Sequence, residues 1–244
     1  MAENTISLEN IKAVIFDMDG VITSSAKEHA VSWKRMFDEY LAQRSERTGE
    51  YYAPFDIETD YRLYIDGKPR ADGAKSFLES RGINLPLGNI DDSPDSETIW
   101  GLGNRKNQYF QEHIKKFGVN PFPSSVNFVQ RMKSKGLKVG IISASRNARE
   151  VMQAAGVSRL FDVAVDGLDS VRLNIKGKPA PDIFLEAARR LNVKPEQAVV
   201  VEDALAGIEA GKAGNFAVVI GIDRGEQAAE MKKRGADIIV KDLS

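Results

Sequence analysis

Cysteine is absent from the 244-residue chain. That excludes disulfides, thiolate nucleophiles and cysteine-ligated zinc. Histidine occurs only as His29 and His113, too sparse and too far apart for a histidine-rich metal centre. Apolar runs stay well below the ~20 residues of a membrane-spanning helix. The opening MAENTISLEN has neither a basic start nor an apolar core, so no secretory signal is expected there. Neither charge is in excess, because Lys+Arg 34 against Asp+Glu 35 leaves a net −1. Such a balance gives no global attraction to nucleic acid or to anionic membrane, so any anion must be bound locally. The expectation is a cytoplasmic, monomeric protein with neither nucleic acid nor membrane as partner.

A chain of this length can remove roughly 70–75% of its unfolded surface from water, enough for a core without covalent staples. Short β-branched runs recur: KAVIF (12–16), LKVGIIS (137–143), DVAVDG (162–167), AVVVED (198–203) and FAVVIGI (216–222). Near-continuous Val and Ile, rather than alternation, indicates strands buried on both faces. Amphipathic stretches separate the later runs: SSVNFVQRMKSKG, NAREVMQAAGV, PDIFLEAARRLNV and ALAGIEAGKAG. This alternation predicts an α/β fold, a doubly wound, Rossmann-like parallel sheet covered by helices. Gly136, Gly156 and Gly214 fall where helices should end.

Residues 26–118 break the rhythm. Ala26, Ala30, Trp33, Phe37 and Leu41 form one helical stripe, opened by a capping-box pattern at Ser25 and Glu28. A second helix is predicted from Gly73 to Ser80 and a third from about Glu97 to Phe117. QRSERTGEYYAP (43–54) reads as loop. The organisation expected is a discontinuous core, 1–25 and 119–244, with a helical cap domain, 26–118, inserted after the first strand.

The first strand runs into AVIFDMDGVITSS (13–25). Asp17 and Asp19 are two residues apart, so both can face one side at the strand's carboxyl end, where α/β sheets bind ligands. Two adjacent carboxylates repel, and a hard cation such as Mg²⁺ would relieve them. A strand entering a polar turn explains the same residues equally well. VVVEDALAG repeats the layout with Glu202 and Asp203, and four acids at one sheet edge favour the cation. At the same edge GIISASRN offers Ser143, Ala144, Ser145, Arg146 and Asn147, and KGKPAPDIF offers Lys178. Hydroxyls, backbone N–H groups and a point charge suit a phosphate. Helix capping and a solvated loop lysine remain open for these residues taken singly. GIEAGKA is too short for a nucleotide P-loop, and GLGNRK lacks a dinucleotide fingerprint's third glycine.

FDMDGV, ISAS, KPAPDIF and VEDALAGIEA together, in this order, resemble the four motifs of the haloacid dehalogenase superfamily. The resemblance covers essentially the whole chain and implies Mg²⁺-dependent phosphoryl transfer through an aspartyl-phosphate. It makes Asp17 the nucleophile and Asp19 the general acid and base, with the Asp19 main-chain carbonyl on the metal. Ser143, Ala144 and Lys178 would hold the transferring phosphoryl group, and Asp17, Glu202 and Asp203 would ligate Mg²⁺. The opening FDMDGVITSSAKEHAVSWK, the loop DGKPR (66–70), RKNQYF (105–110) and SASRN (143–147) further resemble the β-phosphoglucomutase family. That likeness implies substrate contacts from His29, Arg70, Lys106, Ser145, Arg146 and Asn147, with His29 coupling cap closure to Asp19. It also implies interconversion of β-D-glucose 1-phosphate and glucose 6-phosphate, with glucose 1,6-bisphosphate as intermediate and activator. Asp66 stands where the familiar pattern has lysine, and the cap carries extra sequence around Ser45 to Thr59. The alternatives are a sugar-phosphate phosphatase of the same superfamily and a catalytically silent binding protein on this fold. Joint retention of Asp17, Asp19, Ser143, Lys178, Glu202 and Asp203 argues against the last.

Overall fold

Val- and Ile-rich segments that lack polar alternation favour strands covered on both faces, where the sheet ladder satisfies their backbone. A computed structural model, describing residues 10–244, has six of them in one sheet. MAENTISLEN lies outside the described residues except for Asn10. In chain order come β1 (Ala13–Asp17), α1 (Ser25–Thr48), a π-helical segment (Ile57–Ile65), α2 (Arg70–Ser80), α3 (Ile99–Phe117) and α4 (Pro123–Ser134). There follow β2 (Lys138–Ile142), α5 (Ala148–Ala154), β3 (Val163–Val165), α6 (Gly167–Arg172) and α7 (Asp182–Arg190). Last are β4 (Ala198–Glu202), α8 (Leu205–Ala213), β5 (Val218–Ile222), α9 (Ala228–Lys233) and β6 (Ile238–Val240).

The strands run parallel in the order β3-β2-β1-β4-β5-β6. Every residue of β1 and β4 is buried, which is why neither reads as alternating. The winding reverses beside β1, with β2 on one side and β4 on the other. In register, Asp17 lies opposite Ile142, and Phe16 opposite Val201. The carboxyl ends of β1, β2 and β4 are therefore neighbours, the position at which such sheets bind ligands. One layer of the core joins Ile15, Ile142 and Val200 to Phe184, Ala187 and Leu191. No helix among the described residues is long and apolar enough to cross a membrane.

The described residues form two compact units. The sheet-bearing unit ends at Ser24 and resumes at Asn120; the other, Ser25–Val119, is helical. The helical unit has its own core, in which Phe37 stacks on Trp33 and Phe55 with ring centroids 5.2 Å apart in each pair. Phe77 lies 4.2 Å from Phe37. Ala30, Trp33, Phe37 and Leu41 of the expected stripe are buried.

Several local expectations are corrected. Ser25 is the first residue of α1 rather than its cap. The helix expected from Gly73 begins at Arg70, because Pro69, with φ −56°, leads directly into a turn closed by the Gly73 N–H on the Pro69 carbonyl at 2.9 Å. Residues 43–48 are not loop but the last turns of α1. Their charges are satisfied by Glu97, which takes Arg47 at 2.6 Å and Arg44 at 3.4 Å. The expected helix end at Gly214 is observed, since Gly214 caps α8 at φ −79°, with the left-handed step one residue later on Asn215, at φ 55°. β6, α6 and α9 were not legible in the sequence because three to six residues are too few to show a period.

Candidate active site

β1 delivers Asp17 as its last residue, and the chain then coils on itself. The Ile22 and Thr23 N–H groups both donate to the Met18 carbonyl at 2.9 Å, and Gly20 N–H donates to the Thr23 carbonyl at 2.8 Å. This loop brings Asp19 to the end of β2, where the Ser143 hydroxyl donates to its carboxylate at 2.9 Å. Ser143 Oγ in turn accepts the Ser145 N–H at 3.0 Å, and Ser145 Oγ accepts the Asn147 N–H at 3.2 Å. Asn147 is buried; Ala144, Ser145 and Arg146 are partly exposed.

Lys178 is the pivot of the cluster. Its ammonium donates to Asp17 Oδ1 at 2.6 Å and to the Glu202 carboxylate, and both of its partners are buried as it is. The second Glu202 oxygen accepts the Ala204 N–H at 2.7 Å. Burial raises the Asp17 pKa well above 3.8; Lys178 opposes the rise, while Glu202 and Asp19 add to it. Burial would depress Lys178, but the Asp17 and Glu202 charges outweigh it and hold the ammonium above its ordinary range. One lysine thus leaves the acids under-neutralised.

Carboxylate oxygens of Asp17, Glu202 and Asp203 all lie within 4.8 Å of one another. An all-oxygen, mostly buried set with surplus negative charge fits a hard divalent cation such as Mg²⁺. Two glycines keep these acids close to backbone. A Cβ at Gly207 would fall 1.7 Å from Glu202 Oε1, and one at Gly20 would fall 1.8 Å from Asp203 Oδ2. A glycine inside the α8 pattern was the signal for the first of these contacts.

A family model for haloacid dehalogenase-like hydrolases matches residues 11–215, from β1 to beyond α8. The chain belongs to the haloacid dehalogenase-like hydrolase family. Within that family it is 47% identical over 239 residues to a β-phosphoglucomutase of Mycobacterium bovis, covering 97% of this chain and 91% of that protein. A Bacillus subtilis β-phosphoglucomutase is 34% identical, with 96% and 91% covered. Among solved haloacid dehalogenase-like structures, the β-phosphoglucomutase of Clostridium difficile superposes with a TM-score of 0.71 at 26% identity, covering 96% of this chain and 92% of that one.

The helical unit gathers the other three candidates. Arg70 opens α2, and its guanidinium donates to Asn104 Oδ1 at 3.0 Å and to Asn107 Oδ1 at 2.7 Å, both on α3. Asn104 is itself tied down through its amide to the Ile90 and Asp92 carbonyls. Gly103 makes room for the Arg70 stem, since a Cβ there would meet Arg70 Cδ at 2.9 Å. Neither asparagine stood out in the sequence, as nothing local shows that they face Arg70, 34 and 37 positions away. Lys106 is buried, with its ammonium on His29 Nδ1 and over the Trp33 and Phe110 rings. His29 stacks on Phe110 at 3.9 Å. Burial, with the Lys106 and Arg70 charges adding, holds His29 well below its usual pKa, hence neutral at pH 7. An ammonium only donates, so Nδ1 accepts and Nε2 carries the ring proton.

Proposed function

We propose that this chain is a phosphomutase interconverting β-D-glucose 1-phosphate and glucose 6-phosphate through an aspartyl-phosphate and β-glucose 1,6-bisphosphate. The observation that carries the reading is the buried Asp17–Lys178–Glu202 cluster beside Asp203, in a chain alike over nearly its whole length to proteins named for that reaction.

An ionised carboxylate is a nucleophile without an activating base. In the proposed cycle the phosphoryl group on Asp17 passes to the C6 hydroxyl of β-glucose 1-phosphate. The acyl-phosphate P–O bond breaks, the new P–O bond forms, and Asp19 takes the hydroxyl proton. Asp17 then attacks the C1 phosphate of the bisphosphate, and Asp19 returns a proton to the leaving oxygen. Ser143, Ala144 and Lys178 are assigned to the transferring group, with Lys178 placing positive charge where negative charge spreads in the transition state. Mg²⁺ held by Asp17, Glu202, Asp203 and the Asp19 main chain would add to that charge stabilisation. Arg70, Lys106, His29, Ser145, Arg146 and Asn147 are assigned to the sugar phosphate; a bidentate guanidinium suits a phosphate.

The test supplies β-glucose 1-phosphate, Mg²⁺ and a trace of glucose 1,6-bisphosphate, and follows glucose 6-phosphate and free phosphate together, with the α-anomer as control. The expected result is glucose 6-phosphate from the β-anomer with almost no free phosphate. Phosphate release without isomerisation would replace the mutase by a phosphatase. In the same assay Asp19→Asn is expected to lose roughly 10²–10⁴-fold in kcat, the usual contribution of a positioned acid and base. A wild-type rate in that variant would remove Asp19 from proton transfer.

A further inference from the structure

We infer that Arg224, in the loop after β5, is a positioning residue that fixes the Gly20 peptide against the Asp203 carboxylate. The inference rests on the proposed cation site and adds to it a residue outside the four motifs. Arg224 Nε donates to the Gly20 carbonyl at 2.7 Å, across 204 positions of sequence. Its guanidinium carbon lies 3.8 Å from the centroid of the Phe122 ring, and Phe122 N–H donates to the Ile22 carbonyl at 2.8 Å. One side chain therefore joins the loop after β1, the segment returning into the sheet-bearing unit, and the loop after β5.

The base of this strut is tied down by hydrogen bonds. The adjacent Asp223 accepts the Gln227 N–H at 2.7 Å and the Lys241 ammonium at 2.8 Å. The far end is close-fitting. Gly20 has φ +87°, open essentially to glycine alone, and its Cα faces the Asp203 carboxylate so closely that no Cβ fits. A shift of the Gly20 peptide therefore changes the packing around Asp203. Burial lowers the Arg224 pKa, and the Asp203 and Asp242 charges oppose that, so the guanidinium also lies in the field of the carboxylate it positions.

Charge and positioning make opposite predictions. If Arg224 acted only as a cation beside Asp203, removing it would tighten binding of a second cation. If it positions Gly20 and Asp203, removing it loosens binding, and supporting residues behind metal ligands typically contribute 10–100-fold. The experiment is calorimetric titration of the full chain with Mg²⁺ and no substrate, alongside thermal melting. R224A is expected to bind Mg²⁺ about tenfold more weakly than the wild type. R224K, which keeps the charge but not the planar fork, is expected to recover only part of the loss. Affinity in R224A equal to or above wild type overturns the inference. Should R224A fail to fold, R224K decides: weakened binding at an unchanged melting temperature supports the inference, and unchanged binding overturns it. A wild-type chain that takes up no Mg²⁺ overturns the underlying cation site instead, which separates the two failures.

Discussion

Asp17→Asn is expected to abolish turnover and leave the fold intact. The side chain is nearly isosteric, and its amide oxygen can still accept from Lys178, which in the wild type donates to Asp17 Oδ1 at 2.6 Å. What is lost is the anionic oxygen proposed to attack phosphorus, and no neighbouring group replaces it. The other acids are engaged elsewhere, Glu202 by Lys178 and the Ala204 N–H, Asp19 by the Ser143 hydroxyl. The loss should fall in kcat, to the limit of detection, and intact mass spectrometry of protein treated with a phosphoryl donor should show no covalent adduct. Far- and near-ultraviolet circular dichroism should match the wild type. Normal activity in this variant would end the nucleophile assignment.

Lys178→Met is expected to damage both activity and stability. Methionine fills similar space but leaves Asp17 and Glu202 without their shared cation in a site where Lys178 and Glu202 are essentially inaccessible. Removing one partner of a buried ion pair typically costs about 3–5 kcal/mol. Loss of a donor aimed at developing charge costs roughly 10²–10³-fold in kcat. The stability loss should depend on pH. Lys178 has a folded pKa above its ordinary value, so its contribution is fully present at neutral pH and fades only as pH rises through that folded value. Asp17 has a folded pKa above 3.8, so its ionisation weakens the fold as pH rises from 3.8 toward that raised value. Without Lys178 the Asp17 value moves higher still. In metal-free buffer the deficit of the variant relative to wild type should be largest at neutral pH and shrink as pH falls toward 3.8. Urea titrations across that range would show it; a deficit that stays constant or grows in acid would contradict the account.

Much of the core site was legible because its information is local. Asp17, Ser143 and Glu202 each sit at or just beyond the end of an apolar run, so strand periodicity alone carries them to one edge. The helical unit was less legible. Its charged α1 terminus read as loop, because an isolated segment cannot show that Glu97 waits to pair with Arg44 and Arg47. Lys106 was singled out only by the resemblance, and nothing local in the sequence shows that it is buried against two aromatic rings and His29. The π-helical segment, where buried Asp60 meets Arg81 at 2.5 Å, begins at the end of the region marked only as extra sequence and runs on to Ile65.

By itself the sequence determined the parallel α/β sheet, the acids at the strand ends and, through four ordered motifs, the family and the lysine that belongs with those acids. The sheet and its acids follow from hydrophobic period, and the family from motif resemblance, both legible in the chain read one window at a time. Only the tertiary structure decided that Lys178 bridges Asp17 to Glu202, that Asn104 and Asn107 hold Arg70, and that Arg224 reaches Gly20. Each of these is a side-chain hydrogen bond between segments far apart in sequence, and its existence depends on distances that close only after the intervening elements have packed.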